Sequence, residues 1–289
     1  MSLASLIAER AGGPRVGTTA AVACRPLGDP GVAVDPPCLF NAGVRFHAAS
    51  TMKVAVMIEL YRQAAAGRLA LEDAITVTNR FRSIVDGGPY ELPIQEETDR
   101  AMRSALGRPV PLRTLCEAMI VVSSNLATNT LLCRLGVKNV QATVDDLGAS
   151  GLHVRRGVED GLAFARGINS TTDAQALLTI FWKLGRGEVV SAAASAEMAA
   201  LLRRQTHNDG IPAGLPPGTP VAHKTGTISG IHHDAGIVYG PRPYALVVLT
   251  KGIEDPVRSA RLIADVTRTV HESVGIASAD GVSPGLQLM

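Results

Sequence analysis

The spacing of apolar positions changes period twice along this chain. The opening "MSLASLIAERAGG" has helical spacing with Glu9 and Arg10 inside it. "VGTTAAVACRPL" and "PGVAVDPPCLFNAG" then read as two short strands joined by a Gly/Asp/Pro turn. A helix is expected over 50–66, ended by Gly67, and the pattern stays mainly helical from 69 to 184. Within that span "VPLRTLCEAMIVVSSNLATNTLLCRLG" holds two helical stretches around a polar break at Ser123–Asn125. "GVKNVQATVDDLG" is a short helix closed by Gly148. "STTDAQALLTIFWKLGRG" opens on a Ser/Thr/Asp capping cluster, and "SAAASAEMAALLRRQ" is a further helix. The period then shortens. "GTPVAHKTGT", "HHDAGIVYG" and "YALVVLTKG" read as three strands with tight turns, before "DPVRSARLIADVTRTVHESVG" closes as an amphipathic helix. Strands come from both ends and helices fill the middle. The fold class is therefore α+β: an antiparallel sheet of about five strands from N- and C-terminal segments, flanked by helices, with an inserted helical subdomain. One domain is expected over 1–289, with 1–48 and 187–289 forming the sheet part and 49–186 the helical part. The loop "RSIVDGGPYELPIQEETDR" is long and turn-rich, a type more often functional or mobile than structural.

Composition narrows the function. The 289 residues are 46% hydrophobic, enough for a sizeable core, and carry a formal net charge of only +2. With no long basic run and 3% aromatic residues, a nucleic-acid partner is not expected. No apolar run reaches the length of a membrane span. The first residues lack the basic and long apolar regions of a signal peptide, so the address is cytoplasmic, or exported after removal of a signal. Cys24, Cys38, Cys116 and Cys133 lack metal-ligand spacing, so free, packed thiols are expected and no metal or other cofactor.

Lysine occurs at five positions only: 53, 138, 183, 224 and 251. Ser50 and Lys53 form S-x-x-K at a helix start, which puts both side chains on one face. A serine hydroxyl needs a base to become a nucleophile, and a lysine whose pKa burial has lowered can be that base. Taken alone, Lys53 could equally pack its stem and send its head to solvent. Ser123 and Asn125 could relay a proton and hold a substrate carbonyl, or the cluster could simply cap the next helix. In "HKTGT", Lys224 offers a cation, Thr225 a hydroxyl, Gly226 close backbone approach and Thr227 an N–H toward an oxyanion. A polar sheet edge would give the same residues.

S-x-x-K, S-x-N and K-T-G in this order resemble the serine penicillin-recognising enzymes, over nearly the whole chain from about Gly17 to Gly275. The separations are most similar to class A β-lactamases and their serine-hydrolase relatives. The resemblance implies that Ser50 is acylated, with Lys53 as its base or part of the proton relay and Ser123 passing a proton to the leaving nitrogen. It implies that Asn125 binds the substrate's side-chain carbonyl and Lys224 and Thr225 its carboxylate. The N–H groups of Ser50 and Thr227 would form the oxyanion hole. Here S-D-N has become S-S-N, with Ser124 in the middle. For deacylation the family uses a glutamate in E-x-x-L-N. Glu159 and Leu162 fit, but Ala163 replaces the asparagine in a shortened stretch. Glu159 is the deacylation base or a solvated loop acid. The usual carboxylate-binding arginine has no counterpart in "GTISGIHHDAGIVYG", and Arg258 and Arg261 are the candidate substitutes. His232 and His233 are expected in roles other than metal binding. A disulfide known in some relatives would join positions occupied here by Met57 and Cys116, so Cys116 is expected to be a buried thiol.

Three functions follow from these residues. The first is a β-lactamase working through an acyl-enzyme at Ser50, a monomer acting on a small β-lactam. The second is a penicillin-binding D-Ala-D-Ala peptidase or an esterase on an acyl-peptide or ester, which the missing asparagine favours. The third is a non-catalytic sensor that kept the fold, which intact Ser50, Lys53 and Lys224 argue against.

Overall fold

The computed structural model describes residues 18–28 and 38–276. The helix expected at the start of the chain, and residues 30–37 of the second strand segment, lie outside the described residues. Strand β1 (Thr19–Pro26) pairs with a short β2 (Cys38–Phe40) on one side. On its other side lies the last strand of a C-terminal meander, β3 (Val221–Ile228), β4 (Ile231–Val238) and β5 (Tyr244–Lys251). The five strands run antiparallel in the order β2-β1-β5-β4-β3. This is the sheet expected from the two ends of the chain. "YALVVLT" reads as an unbroken apolar run because both faces are covered.

The covering differs on the two faces. Ala20, Val22 and Cys24 of β1 point into an apolar cluster beneath the C-terminal helix, which spans Pro256–Ile276. Ala21 and Ala23 point the other way, into the larger core shared with the inserted helices. Five of those helices matter here: α1 (Lys53–Ala65), α2 (Leu112–Val121), α3 (Asn125–Leu135), α4 (Val137–Asp146) and α5 (Ala174–Gly185). Helix α5 lies across β1 and β5, and Trp182 Nε1 donates to Pro26 O at 2.9 Å. Asp173 caps α5 by accepting from Ala176 N, as its capping cluster predicts. The inserted part also contains short two-stranded pairs, 74–76 with 109–111 and 81–82 with 89–90. The pattern read as mainly helical hid these because each strand is only two or three residues long.

The thiols are not uniformly packed. Cys24 and Cys116 are buried and Cys38 is half-buried, but Cys133 is exposed on the outer side of α3. Desolvation pushes the Cys116 thiol up to about 12. No described helix is long and apolar enough to cross a membrane.

Candidate active site

Ser50 lies in a single 3-10 turn, Ala49–Met52, and Lys53 is the first residue of α1. Ala49 is held at φ 46°, in the left-handed region that a Cβ disfavours. Its N–H donates to His47 Nδ1 at 3.0 Å, and Thr51 Oγ1 donates to Ala48 O at 2.6 Å. These local bonds fix the turn that presents Ser50.

The polar break at 123–125 divides between a helix cap and a pair of side chains turned toward the lysines. Ser124 caps α3, accepting from Ala127 N at 3.1 Å. Ser123 takes a left-handed φ of 62°, and its hydroxyl stands between two lysines. Lys53 Nζ and Lys224 Nζ each lie 3.1 Å from Ser123 Oγ. Lys53 Nζ also donates to Ser123 O at 2.7 Å and to Asn125 Oδ1 at 2.8 Å. Asn125 Nδ2 in turn donates to Glu159 Oε1 at 3.1 Å. Five of the residues singled out in the sequence thus form one hydrogen-bonded chain: Lys224, Ser123, Lys53, Asn125 and Glu159.

Both lysines are fully buried, which disfavours their charged forms. Lys53 is driven well below its ordinary value by desolvation and then by the charge of Lys224, against the opposing pull of Glu97 and Glu159. Lys224 is lowered by desolvation to about 7, with Asp234 opposing. The two short contacts of Lys53 go to oxygens that can only accept. A neutral amine would place both its hydrogens there and turn its lone pair toward a hydroxyl. That geometry suits a base.

Strand β3 brings the third motif. It is the outer strand of the sheet, so one row of its backbone groups is left for other partners. Gly226 lies so close to the Ser50 turn that a Cβ would sit 3.1 Å from Ser50 N and 3.1 Å from the Ala49 Cβ. Any side chain at this position would require the Ser50 turn to shift, so glycine lets the backbone around Thr227 approach Ser50. Ser50, Asn125, Glu159 and Thr227 line one cleft of about 670 Å³, together with His47, Arg156 and Phe164. Thr225 is buried on β3, directly opposite Asp234 of β4.

Glu159 sits at φ 59° and is fixed from both sides. Val158 before it exchanges two bonds with the Asn129 side chain, at 2.7 and 2.9 Å. Asp160 after it accepts from Ser83 Oγ and Ile84 N of the turn-rich loop and from Ala163 N. Buried Arg156 closes the neck of the segment, donating to Gly157 O, Ile168 O and Asn169 Oδ1. Desolvation, then Glu96, raise the Glu159 carboxyl, while the Asn125 bond and Lys53 oppose them. Ala163 is buried, capped by Asp160, and offers no side-chain amide.

Other expectations resolve differently. His233 is a core residue: Nδ1 accepts from Thr250 N, so Nε2 carries the hydrogen donated to His47 O at 2.9 Å. His232 Nδ1 bonds Ser259 Oγ. Asp234 holds His223 at 2.8 Å and accepts from Ile211 N. No grouping of described residues has the makings of a metal site. Arg258 and Arg261 belong to the C-terminal helix under the far face of the sheet, and neither is among the described residues lining the cleft. His207 is lowered by burial and then by the neighbouring charge of Lys224.

Three contributors escape the sequence reading. Glu97 is buried in the turn-rich loop, accepting from Leu126 N at 2.8 Å and Asp99 N at 3.1 Å, close enough to oppose the lowering of Lys53. Adjacent Glu96 and Glu97 look like a solvated pair, so no local signal marks one as buried. Arg156 is masked in the same way by Arg155. Asn129 could have been found, because it repeats Asn125 one helical turn later.

Residues 34–274 match the pattern of the Beta-lactamase enzyme family. A Beta-lactamase of Streptomyces albus G is 31% identical over 168 residues, 56% of this chain and 54% of that protein. Beta-lactamase AST-1 of Nocardia asteroides is 29% identical over 226 residues, 76% of this chain and 72% of that one. The matched segments thus span about half and about seven tenths of these relatives. The solved structure of PBP-A superposes with a TM-score of 0.78 at 26% identity, covering 94% of this chain and 96% of that one. Motif order, sheet topology and the matched span agree, and the chain belongs to the beta-lactamase enzyme family.

Proposed function

We propose that the protein hydrolyses β-lactams through an acyl-enzyme on Ser50. The observation that carries this reading is the chain from Lys224 through Ser123, Lys53 and Asn125 to Glu159. In it, neutral Lys53 takes the proton of the Ser50 hydroxyl as the oxygen attacks the lactam carbonyl. The N–H groups of Ser50 and Thr227 receive the oxyanion. Lys53 then passes a proton to Ser123 Oγ, and Ser123 donates its own to the departing nitrogen. Lys224, Thr225 and the edge of β3 bind the substrate carboxylate, and Asn125 binds the side-chain carbonyl. Glu159 takes a proton from the water that releases the product. The chain acts as one β-lactamase-like domain, as a monomer, on a small molecule.

A second reading keeps acylation but slows release, as in a penicillin-binding peptidase or esterase. Ala163 in place of the family's asparagine supports it, because Glu159 then has one fewer neighbour to place the water. Mass spectrometry after mixing with a penicillin separates the two. A β-lactamase returns to unmodified mass within the mixing time and turns over nitrocefin. A slow enzyme keeps an adduct on Ser50. Ser50→Ala should form no adduct and lose nitrocefin turnover; retained turnover would refute both readings.

A further inference from the structure

Cys24 and Cys38 sit directly opposite each other in the antiparallel pairing of β1 and β2. Opposed residues of such a pair have Cα atoms about 4.5 or 5.5 Å apart, inside the range a disulfide spans. Both side chains also lie on one face. Cys24 belongs to the apolar cluster under the C-terminal helix, and Cys38 packs against that cluster, half-buried. Strand β2 is an outer strand of the sheet and, among the described residues, meets β1 through three residue pairs. The Ser50 chemistry uses neither thiol.

We propose that Cys24 and Cys38 form a reversible cross-strand disulfide that fastens the outer strand β2 to β1. The oxidant is a small-molecule disulfide of the glutathione type. Cys38, the more accessible sulfur, loses its proton to solvent and attacks one sulfur of the oxidant, releasing one thiolate. Cys24 then loses its proton and attacks Cys38 Sγ, releasing the second. The two protein thiols lose two electrons, and one oxidant disulfide becomes two thiols. Burial holds both thiols above their ordinary value, Cys24 with the added repulsion of Cys38. Few thiolates are then present at neutral pH, so the exchange is slow in the folded protein.

Exposed Cys133 and buried Cys116 provide controls within the same molecule. The folded chain is incubated with excess oxidised glutathione, alkylated in denaturant, and digested without reductant. The expected products are a Cys24–Cys38 linked peptide pair, glutathione on Cys133 and an alkylated Cys116. Free Cys24 and Cys38 in folded protein whose Cys133 is fully modified, after incubation long enough for the slow exchange to reach its end point, would overturn the proposal. So would glutathione left on Cys38, or a link from Cys24 to Cys116. The linked protein should melt on the order of 5 °C higher, reversibly with dithiothreitol, and Cys38→Ser should lose the shift. An unchanged midpoint in fully linked protein would overturn the fastening role.

Discussion

Lys53 and Lys224 face one hydroxyl from opposite sides, and burial weakens the charge of both. Their proposed jobs pull in opposite directions, since a base must be neutral and a carboxylate binder must be charged. Lys224 has an opposing carboxylate at Asp234, and its value of about 7 predicts a loss of kcat/KM as pH rises through that range. Lys224→Arg should move the alkaline limb upward, because a guanidinium stays charged there. Initial rates from pH 5 to 9 measure both limbs. In the proposed mechanism the acid limb is that of Lys53, which cannot act as base when protonated. Glu97 raises the Lys53 value. Glu97→Gln removes that charge while keeping one oxygen acceptor, for Leu126 N or Asp99 N, so the acid limb should move to lower pH. A limb that stays in place would remove Glu97 from the mechanism.

Strain concentrates in the short segments between elements. Ala49, Ser123 and Glu159 are three of five described non-glycine residues with positive φ; Ala49 and Glu159 line the cleft, and Ser123 bonds Lys53 and Lys224. Bonds from elsewhere hold each or its neighbours: His47 for Ala49, Lys53 for Ser123, and Asn129 and Ser83 for the residues on either side of Glu159. Strand β3 depends on Gly226 for its contact with the Ser50 turn. Gly226→Val would push the strand away from that turn and move the Thr227 N–H off the oxyanion position. We expect kcat to fall by about 10²–10³-fold, the loss typical of removing one oxyanion donor. Circular dichroism of the variant should show the fold retained.

At the scale of the whole molecule, the sheet and the inserted helices meet around buried polar groups that must stay in one protonation state. His233 is one of them, neutral in the folded protein and lowered to about 4, first by desolvation. Unfolded, it titrates near its ordinary value of 6.5. Between these values the unfolded chain binds a proton that the fold refuses, so stability falls as pH drops from 6.5 to 4. The slope approaches about 1.4 kcal/mol per pH unit from this group. Urea melts at pH 7 and pH 4.5 should show the loss, and His233→Gln, which keeps a donor and an acceptor, should reduce it.

Much of this was legible in the linear chain. The strands at both ends and the longer helices follow from period, and S-x-x-K, S-x-N and K-T-G follow from order and spacing. Those signals are local, because a helix or strand aligns residues within a few positions of one another. The two-residue strands were too short to show a period. The contacts that make the site are not local. Lys53 meets Ser123 across 70 positions and Lys224 meets it across 101. Glu97 and Arg156 became buried, and Arg258 and Arg261 were left on the far face, only when the sheet and helices packed. Burial and pairing depend on which distant surfaces exclude water, and tertiary packing alone decides that.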